Sequence, residues 1–463
     1  MYVAMLLIFV IGYLAIALEH PIHIDKSASA LLIAALTWVA FVFGADHLVN
    51  TSSDAYQTYL LTAGEGHETS PLYFVVHELR HHLGEISEIL FFLMGAMTIV
   101  ELVDVHGGFD VITDRIKTRN KGKLMWIVCI LTFFLSAALD NLTTSIVMIS
   151  LLKKLIDDKE TRWLYAGMVI IAANAGGAWS PIGDVTTTML WIGGQITASK
   201  IIIGVILPSL VCMLVPLALL TFRLKGEIDK PKQNSGDNQD FTTDGQKKFI
   251  LFLGVLMLIN VPIFKTVTHL PPYMGMLFGL GVMWLVTELM HKRRSREVKD
   301  KLSVIAVLKK IELSSVLFFL GILLAIASLQ SAGHLTQLAD GLRTSLGNMY
   351  LIDMAIGLLS AIVDNVPLVA GAMGMYPIAT ESMIAAADPA NQEWLSYFVQ
   401  DGDFWEFLAY CAGCGGSALI IGSAAGVAVM GLERMDFIWY LKRMSLLAIV
   451  GYFAGAGVYI LTH

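Results

Sequence analysis

Leu135-Ser136-Ala137-Ala138-Leu139-Asp140-Asn141 places an acid and an amide inside the apolar run Leu124–Met148, and Leu359-Ser360-Ala361-Ile362-Val363-Asp364-Asn365 repeats the pattern far downstream. A charged side chain at the centre of a membrane helix costs ~2.5–3.5 kcal/mol on insertion scales. Two copies in matching frames point to a duplicated ion site. The competing reading is a pair of buried aspartates satisfied by their neighbours, which leaves the rest of the repeat described below without a cause.

The surroundings of these stretches set the class. Of 463 residues, 56% are hydrophobic and only 15% charged. Many separate apolar runs reach the ~20 residues a bilayer requires. The chain is therefore an all-α polytopic membrane protein; a barrel would show short alternating segments. A net charge of −7 says little by itself, because topology follows how Lys and Arg divide among the loops. No basic, aromatic-interleaved patch suggests nucleic acid, so lipid is the surrounding partner. Cys129 and Cys212 read as packing residues. Cys411 and Cys414 form a CxxC, but within a Gly-rich apolar segment where small residues serve helix contact. Met1–Leu18 lacks a basic n-region and a clean cleavage site, and is read as a membrane helix.

Simple spans are expected at Tyr2–Leu18, Ala28–Phe43, Ile86–Val103, Ile201–Phe222, Phe249–Phe264, Met274–Met290, Leu313–Gln330 and Met444–Leu461. Gly44–Glu85 reads as a long polar excursion. The run at about 124–156 breaks at Asp140-Asn141 into halves of ~15 residues, short for a crossing at 1.5 Å per residue. Arg115, Lys117, Arg119, Lys121 and Lys123 precede it, and Lys153, Lys154, Lys159 and Arg162 follow. Both flanks should be cytoplasmic, which makes the run a re-entrant hairpin. The run 163–191 is interrupted by Asn174-Ala-Gly-Gly-Ala-Trp-Ser-Pro-Ile-Gly-Asp184; Pro181 removes a donor and the glycines weaken the helix. Residues 224–247 form a polar cytoplasmic linker. The second hairpin, about 349–387, has only Arg343 before it and no Lys or Arg between Tyr376 and Glu406, where Glu381, Asp388, Glu393, Asp401, Asp403 and Glu406 dominate, so it should open outside. The second broken helix, 407–430, yields at Gly415-Gly416-Ser417 and Gly422-Ser423.

The correspondences keep their order. Ile89-Leu90-Phe91-Phe92-Leu93 matches Val316-Leu317-Phe318-Phe319-Leu320, and Gly176-Gly177 with Ile182-Gly183-Asp184 matches Gly415-Gly416 with Ile421-Gly422-Ser423. Residues 1–223 form one repeat and 248–463 the other. Five crossings each is odd, so the second enters the membrane upside down. Ten crossings plus two hairpins result, with both termini outside. Inverted repeats with broken helices at the midplane are a plan of secondary transporters.

Irregular backbone at membrane depth survives only when buried in protein or lining a cavity, so the tips and breaks should converge. They bring hard oxygen donors: Asp140, Asn141, Thr143, Thr144, Asn174, Ser180, Asp184, Thr186, Thr187, Ser360, Asp364, Asn365, Ser417 and Ser423. Such donors suit a hard cation. A buried carboxylate binds either a proton or a cation, and that competition is enough for antiport. For Thr186 and Thr187 simple helix packing competes with a site role. Glu101, at the end of the third span, is a proton-relay candidate or an interfacial acid. His77-Glu78-Leu79-Arg80-His81 spells HExxH, a zinc-protease signature. With His82 it reads better as a solvated or pH-responsive face.

Three motifs resemble the NhaD-type sodium/proton antiporters of the ion transporter superfamily, which also holds arsenite exporters and dicarboxylate carriers. They are His82-Leu-Gly-Glu-Ile-Ser-Glu-Ile-Leu-Phe-Phe-Leu-Met-Gly-Ala-Met, Leu139-Asp-Asn-Leu-Thr-Thr-Ser and Asn174-Ala-Gly-Gly-Ala-Trp-Ser-Pro-Ile-Gly-Asp-Val-Thr-Thr-Thr. The resemblance implies a non-enzymatic exporter of Na+ or Li+ driven by inward protons, without a cofactor, in the bacterial inner membrane as a homodimer. It implies ion binding by Asp140, Asn141, Asn174, Asp184, Thr186, Thr187, Asp364 and Asn365, with Na+ at the two Asp-Asn pairs and Glu101 as a candidate. An anion carrier for dicarboxylate or arsenite remains the alternative, although acidic tips would repel its substrate. A membrane zinc protease through His77, Glu78 and His81 is the remote one.

Overall fold

A computed structural model describes the chain except for residues 18, 63–69, 114–115, 117, 223, 225, 229–241, 293, 295–300 and 312. Most of the expected 224–247 linker, and Arg115 and Lys117 of the basic loop, therefore lie outside the described residues. In chain order the main helices are α1 (Tyr2–Ala17), α2 (Lys26–Phe43), α3 (Pro71–Val105), α4 (Lys121–Leu139), α5 (Asn141–Leu155), α6 (Lys159–Ala178), α7 (Val185–Ile192), α8 (Ala198–Thr221), α9 (Asp244–Thr268), α10 (Pro272–His291), α11 (Leu313–Ser331), α12 (Met349–Leu359), α13 (Asn365–Met375), α14 (Asp403–Gly415), α15 (Ala424–Glu433) and α16 (Ser445–Thr462). Apart from an isolated bridge between Asn120 and Glu227, the described residues hold no β-structure.

The starts of these helices are written locally. Asp25, Asn120 and Asp158 accept the backbone N–H of Ser27, Lys123 and Thr161 at 2.8–2.9 Å. Thr243 and Gln246 form a reciprocal capping box at α9, satisfying two orphan donors of the first turn.

The chain forms two compact units that interleave along the sequence. The first comprises 1–90, 312–348 and 366–377. There α2 lies along α11: Ser27 Oγ donates to the Ser314 carbonyl at 2.7 Å and Trp38 Nε1 to the Leu324 carbonyl at 2.9 Å. Close backbone approach at Gly321 leaves no room for a Cβ beside Ala30. The second unit comprises 91–311, 349–365 and 378–463. It contains both Asp-Asn stretches and both broken helices. Within it α6 receives α4 and α5, α14 receives α12, α8 lies along α16, and α5 packs on α15.

By length and composition, α2, α3, α4, α8, α9, α10, α11 and α16 are each able to cross a membrane. Of the remaining pieces at the breaks, α5, α7, α12, α13, α14 and α15 have 8–15 residues each, while α6 has 20. Three local expectations change. The excursion 44–85 does not persist to its end, because α3 starts at Pro71 and runs 35 residues. Its apolar face simply continues upstream: Val75, Ile86, Ile89 and Leu93 are all buried, at helical spacing. HExxH therefore lies within a long helix, not in a polar segment before it. The first arm of the first hairpin, α4, has 19 residues instead of ~15, about 28 Å of helix, since its Asn120 cap recruits Lys121–Lys123. The second hairpin's apolar helix stops at Met375, short of Ala387. Beyond it come an extended stretch and a short helix, Glu381–Ala386, capped by Thr380.

Contacts around the two Asp-Asn stretches repeat. Ser136 Oγ donates to the Ala173 carbonyl at 2.6 Å and Ser360 Oγ to the Ala412 carbonyl at 3.2 Å. Gly176 abuts the Phe133 carbonyl, and Gly415 the Gly357 carbonyl. Gly177 sits against Gly183 and Asp184, and Gly416 against Gly422 and Ser423. Every hairpin position shifts by 224 residues between copies and every broken-helix position by 239. The same packing solution is used twice.

Candidate functional site

The site is built from helix ends. Asp140 terminates α4 and caps α5, with φ +86° and ψ 160°. Its Oδ1 accepts the Thr143 N–H at 2.7 Å and its Oδ2 the Thr143 hydroxyl at 2.9 Å. Asp184 caps α7, its Oδ1 accepting the Thr186 N–H at 2.9 Å and the Thr186 hydroxyl at 2.7 Å. Ser423 caps α15 from an equivalent place, with nearly the same backbone angles and the Gly426 N–H at 3.1 Å. The acids thus stand at the positive ends of half-helices, where a negative charge is favoured.

Side chains from the breaks join these ends. Asn141 Nδ2 donates to Asp184 Oδ2 at 2.6 Å and to Asn174 Oδ1 at 3.1 Å. Asn174 Nδ2 donates in turn to Ser417 Oγ and Ser423 Oγ, both at 2.9 Å. One buried network so links the first hairpin tip to both broken helices. Both amide protons of Asn141 are used. The charges of Asp140 and Asp364 each couple with that of Asp184.

The remaining expected residues take other places. Ser180 and Thr187 donate to the carbonyls of Ala137 and Ala178 at 2.5 and 3.3 Å, pinning the first break. Ser360 donates to the carbonyls of Gly357 and Ala412, pinning the second hairpin to α14. Thr144 is fully buried and its hydroxyl has no partner among the described residues. Asn365 is buried at the start of α13. Glu101 forms an ion pair with Lys310 at 3.3 Å. In the HExxH stretch, His82 faces Glu85 at 3.2 Å and Ser331 at 3.1 Å, Ser331 donates to Glu78 at 3.1 Å, and the His77 ring lies tilted against Tyr59. All four cysteines are free and buried. The sequence reading passed over Asp353, a buried acid on α12; an acid inside the run Met349–Leu359 was the available signal.

Half-helices ending on a buried network of acids, amides and hydroxyls, in a chain with this many apolar helices, define a multi-pass membrane transport protein. The chain belongs to the citrate transporter (CitMHS) family, whose profile matches residues 5–398, and it is of the NhaD type. It is 45% identical over 464 residues to sodium/proton antiporter 1 of Arabidopsis thaliana, covering all of this chain and 72% of that protein. It is 42% identical to sodium/proton antiporter 2 of the same plant, covering 99% of each. With the Na(+)/H(+) antiporter NhaD of Alkalimonas amylolytica it shares 29% identity over 98% of this chain and 89% of the relative.

Proposed function

We propose that this protein exchanges Na+ or Li+ for H+ across its membrane, with cation and proton competing for Asp140, Asp184 and Asp364. One observation carries the reading: Asp184 is hydrogen-bonded to the first hairpin tip through Asn141, and its charge acts together with those of Asp140 and Asp364. Clustered carboxylates repel one another, so the cluster favours uptake of a cation or of protons. The names of the plant and bacterial relatives support it. Alternating access then follows from two inverted repeats, 1–223 and 248–463, whose duplicated contacts supply two equivalent seats for the broken helices. The NhaD relatives are bacterial, which supports a bacterial inner membrane.

A second reading, an anion carrier, draws on the description of the matching family as a citrate transporter. Three carboxylates at the site oppose it. Purified protein in acid-loaded vesicles with a pH-sensitive dye separates the two. Adding Na+ or Li+ should move protons out; a response to citrate or succinate with none to Na+ would reverse the assignment.

A further inference from the structure

The inward face of α12 holds one acid that the exchange site does not use. Asp353 is 0% exposed, and neither carboxyl oxygen has a hydrogen-bond partner among the described residues. It shares its face with the buried Met349, Ile352, Ile356 and Gly357, and that face packs on α14. Ser360 follows seven residues later, roughly 10 Å along the chain axis.

Its neighbours form a titratable series. Toward one end of α12, Asp353 and Asp403 both act on Tyr350. Asp353, Asp403 and Glu406 all act on Tyr459 of α16. The Tyr459 hydroxyl donates to the Asp403 carbonyl at 3.3 Å, and its ring stacks on His463 with centroids 4.2 Å apart. His463 Nε2 lies 3.9 Å from Glu406 Oε2. Its charge also acts on Cys411 of α14 and Tyr452 of α16, and among the described residues no cationic group is paired with it. The Tyr452 hydroxyl is committed to the Met354 carbonyl at 3.1 Å.

An ionised carboxyl is costly where it has no hydrogen-bond partner, which marks Asp353 as a group that carries a proton. A purely structural explanation fails on the repeat. The position 224 residues earlier is Cys129, also buried on an equivalently packed hairpin arm. The fold of the arm therefore does not require an acid.

We propose that Asp353 is a proton-carrying group separate from the cation site, passing protons between the Asp403–Glu406–His463 end of α14 and the breaks. The proposal rests on the Na+/H+ exchange reading. The carboxylate takes a proton at one end of its path and yields it at the other; no other bond changes.

Two readouts on the full-length protein in vesicles test it. Counterflow of radioactive Na+ against Na+ needs no net proton movement, whereas dye-monitored Na+-driven proton efflux does. Asp353→Asn should keep counterflow within about twofold of wild type and lower proton coupling at least tenfold. Asp353→Glu should restore most coupling, and Asp353→Cys, which installs the first repeat's residue, should behave like Asp353→Asn even if the latter folds poorly. Normal coupling in Asp353→Asn or Asp353→Cys overturns the proposal. So does a parallel loss of counterflow and coupling in folded protein, because that marks a structural or cation-binding role. Wild-type protein that shows neither activity overturns the exchange reading itself.

Discussion

At the scale of single residues, the site combines strain with satisfied polarity. Asp140 holds a backbone conformation otherwise almost reserved for glycine, worth ~1–3 kcal/mol. Its capping bonds to Thr143 hold it there. Asp364 is not among the residues with positive φ: the second hairpin enters its corner through a turn at 360–363, whereas α4 stays helical up to Leu139. Asn174 is the joint of the network, so Asn174→Ala would remove one bond each from Asn141, Ser417 and Ser423. Each buried polar group left unpaired costs about 1–3 kcal/mol. We expect a clear drop in the melting temperature of the detergent-solubilised variant and at least a tenfold loss of vesicle exchange.

A second residue-scale prediction concerns acid stability. His106 Nδ1–H donates to the Leu102 carbonyl at 2.6 Å, which makes its Nε2 the acceptor of the His291 Nε2–H at 2.9 Å. Burial pushes the His106 imidazole down to about 4, against ~6.5 in an unfolded chain. Between those values the unfolded chain binds the extra proton. The group's contribution is complete above pH ~6.5 and disappears as the pH falls toward 4. At pH 4.5 the loss is about 2–3 kcal/mol. Melting curves of His106→Gln should therefore decline less between pH 7 and 4.5 than those of wild type, and equal slopes would discount the pair.

Among elements, the decisive feature is how closely a hairpin approaches a broken helix. Gly176 and Gly415 leave no space for a methyl group, since a Cβ would overlap the carbonyls of Phe133 and Gly357 respectively. Backbone cannot step aside as a flexible side chain can. Gly176→Ala and Gly415→Ala should each destabilise by at least about 2 kcal/mol, above the 1–3 kcal/mol range's lower end for overpacking, and impair exchange. Gly281→Ala, at a position with open space on α10, is the control and should leave both unchanged.

For the whole molecule the outstanding claim is inversion. If the two repeats enter the membrane in opposite senses, Lys159 before the first broken helix and Glu393 before the second face opposite compartments. Both are exposed, and the four native cysteines are buried. In oriented vesicles, Lys159→Cys and Glu393→Cys should label with an impermeant maleimide from opposite sides. Labelling from the same side would remove the inverted repeat and the alternating-access scheme built on it.

The sequence alone determined the class, the Asp-Asn corners and the two breaks. Those depend on hydropathy, on Gly and Pro, and on acids stranded in apolar runs, all of which are local signals. It misplaced the start of α3, because polar residues on one face of a long helix look like a loop when read linearly. Only the tertiary structure decided which oxygens meet. The Ser180, Thr187 and Ser360 hydroxyls donate to backbone carbonyls, Asn174 is the joint, and the Asp353 carboxyl has no partner among the described residues. Hydrogen-bond partners come from residues tens to hundreds of positions apart, as with Asn174 and Ser423, and no local spacing encodes which of two nearby hydroxyls will reach.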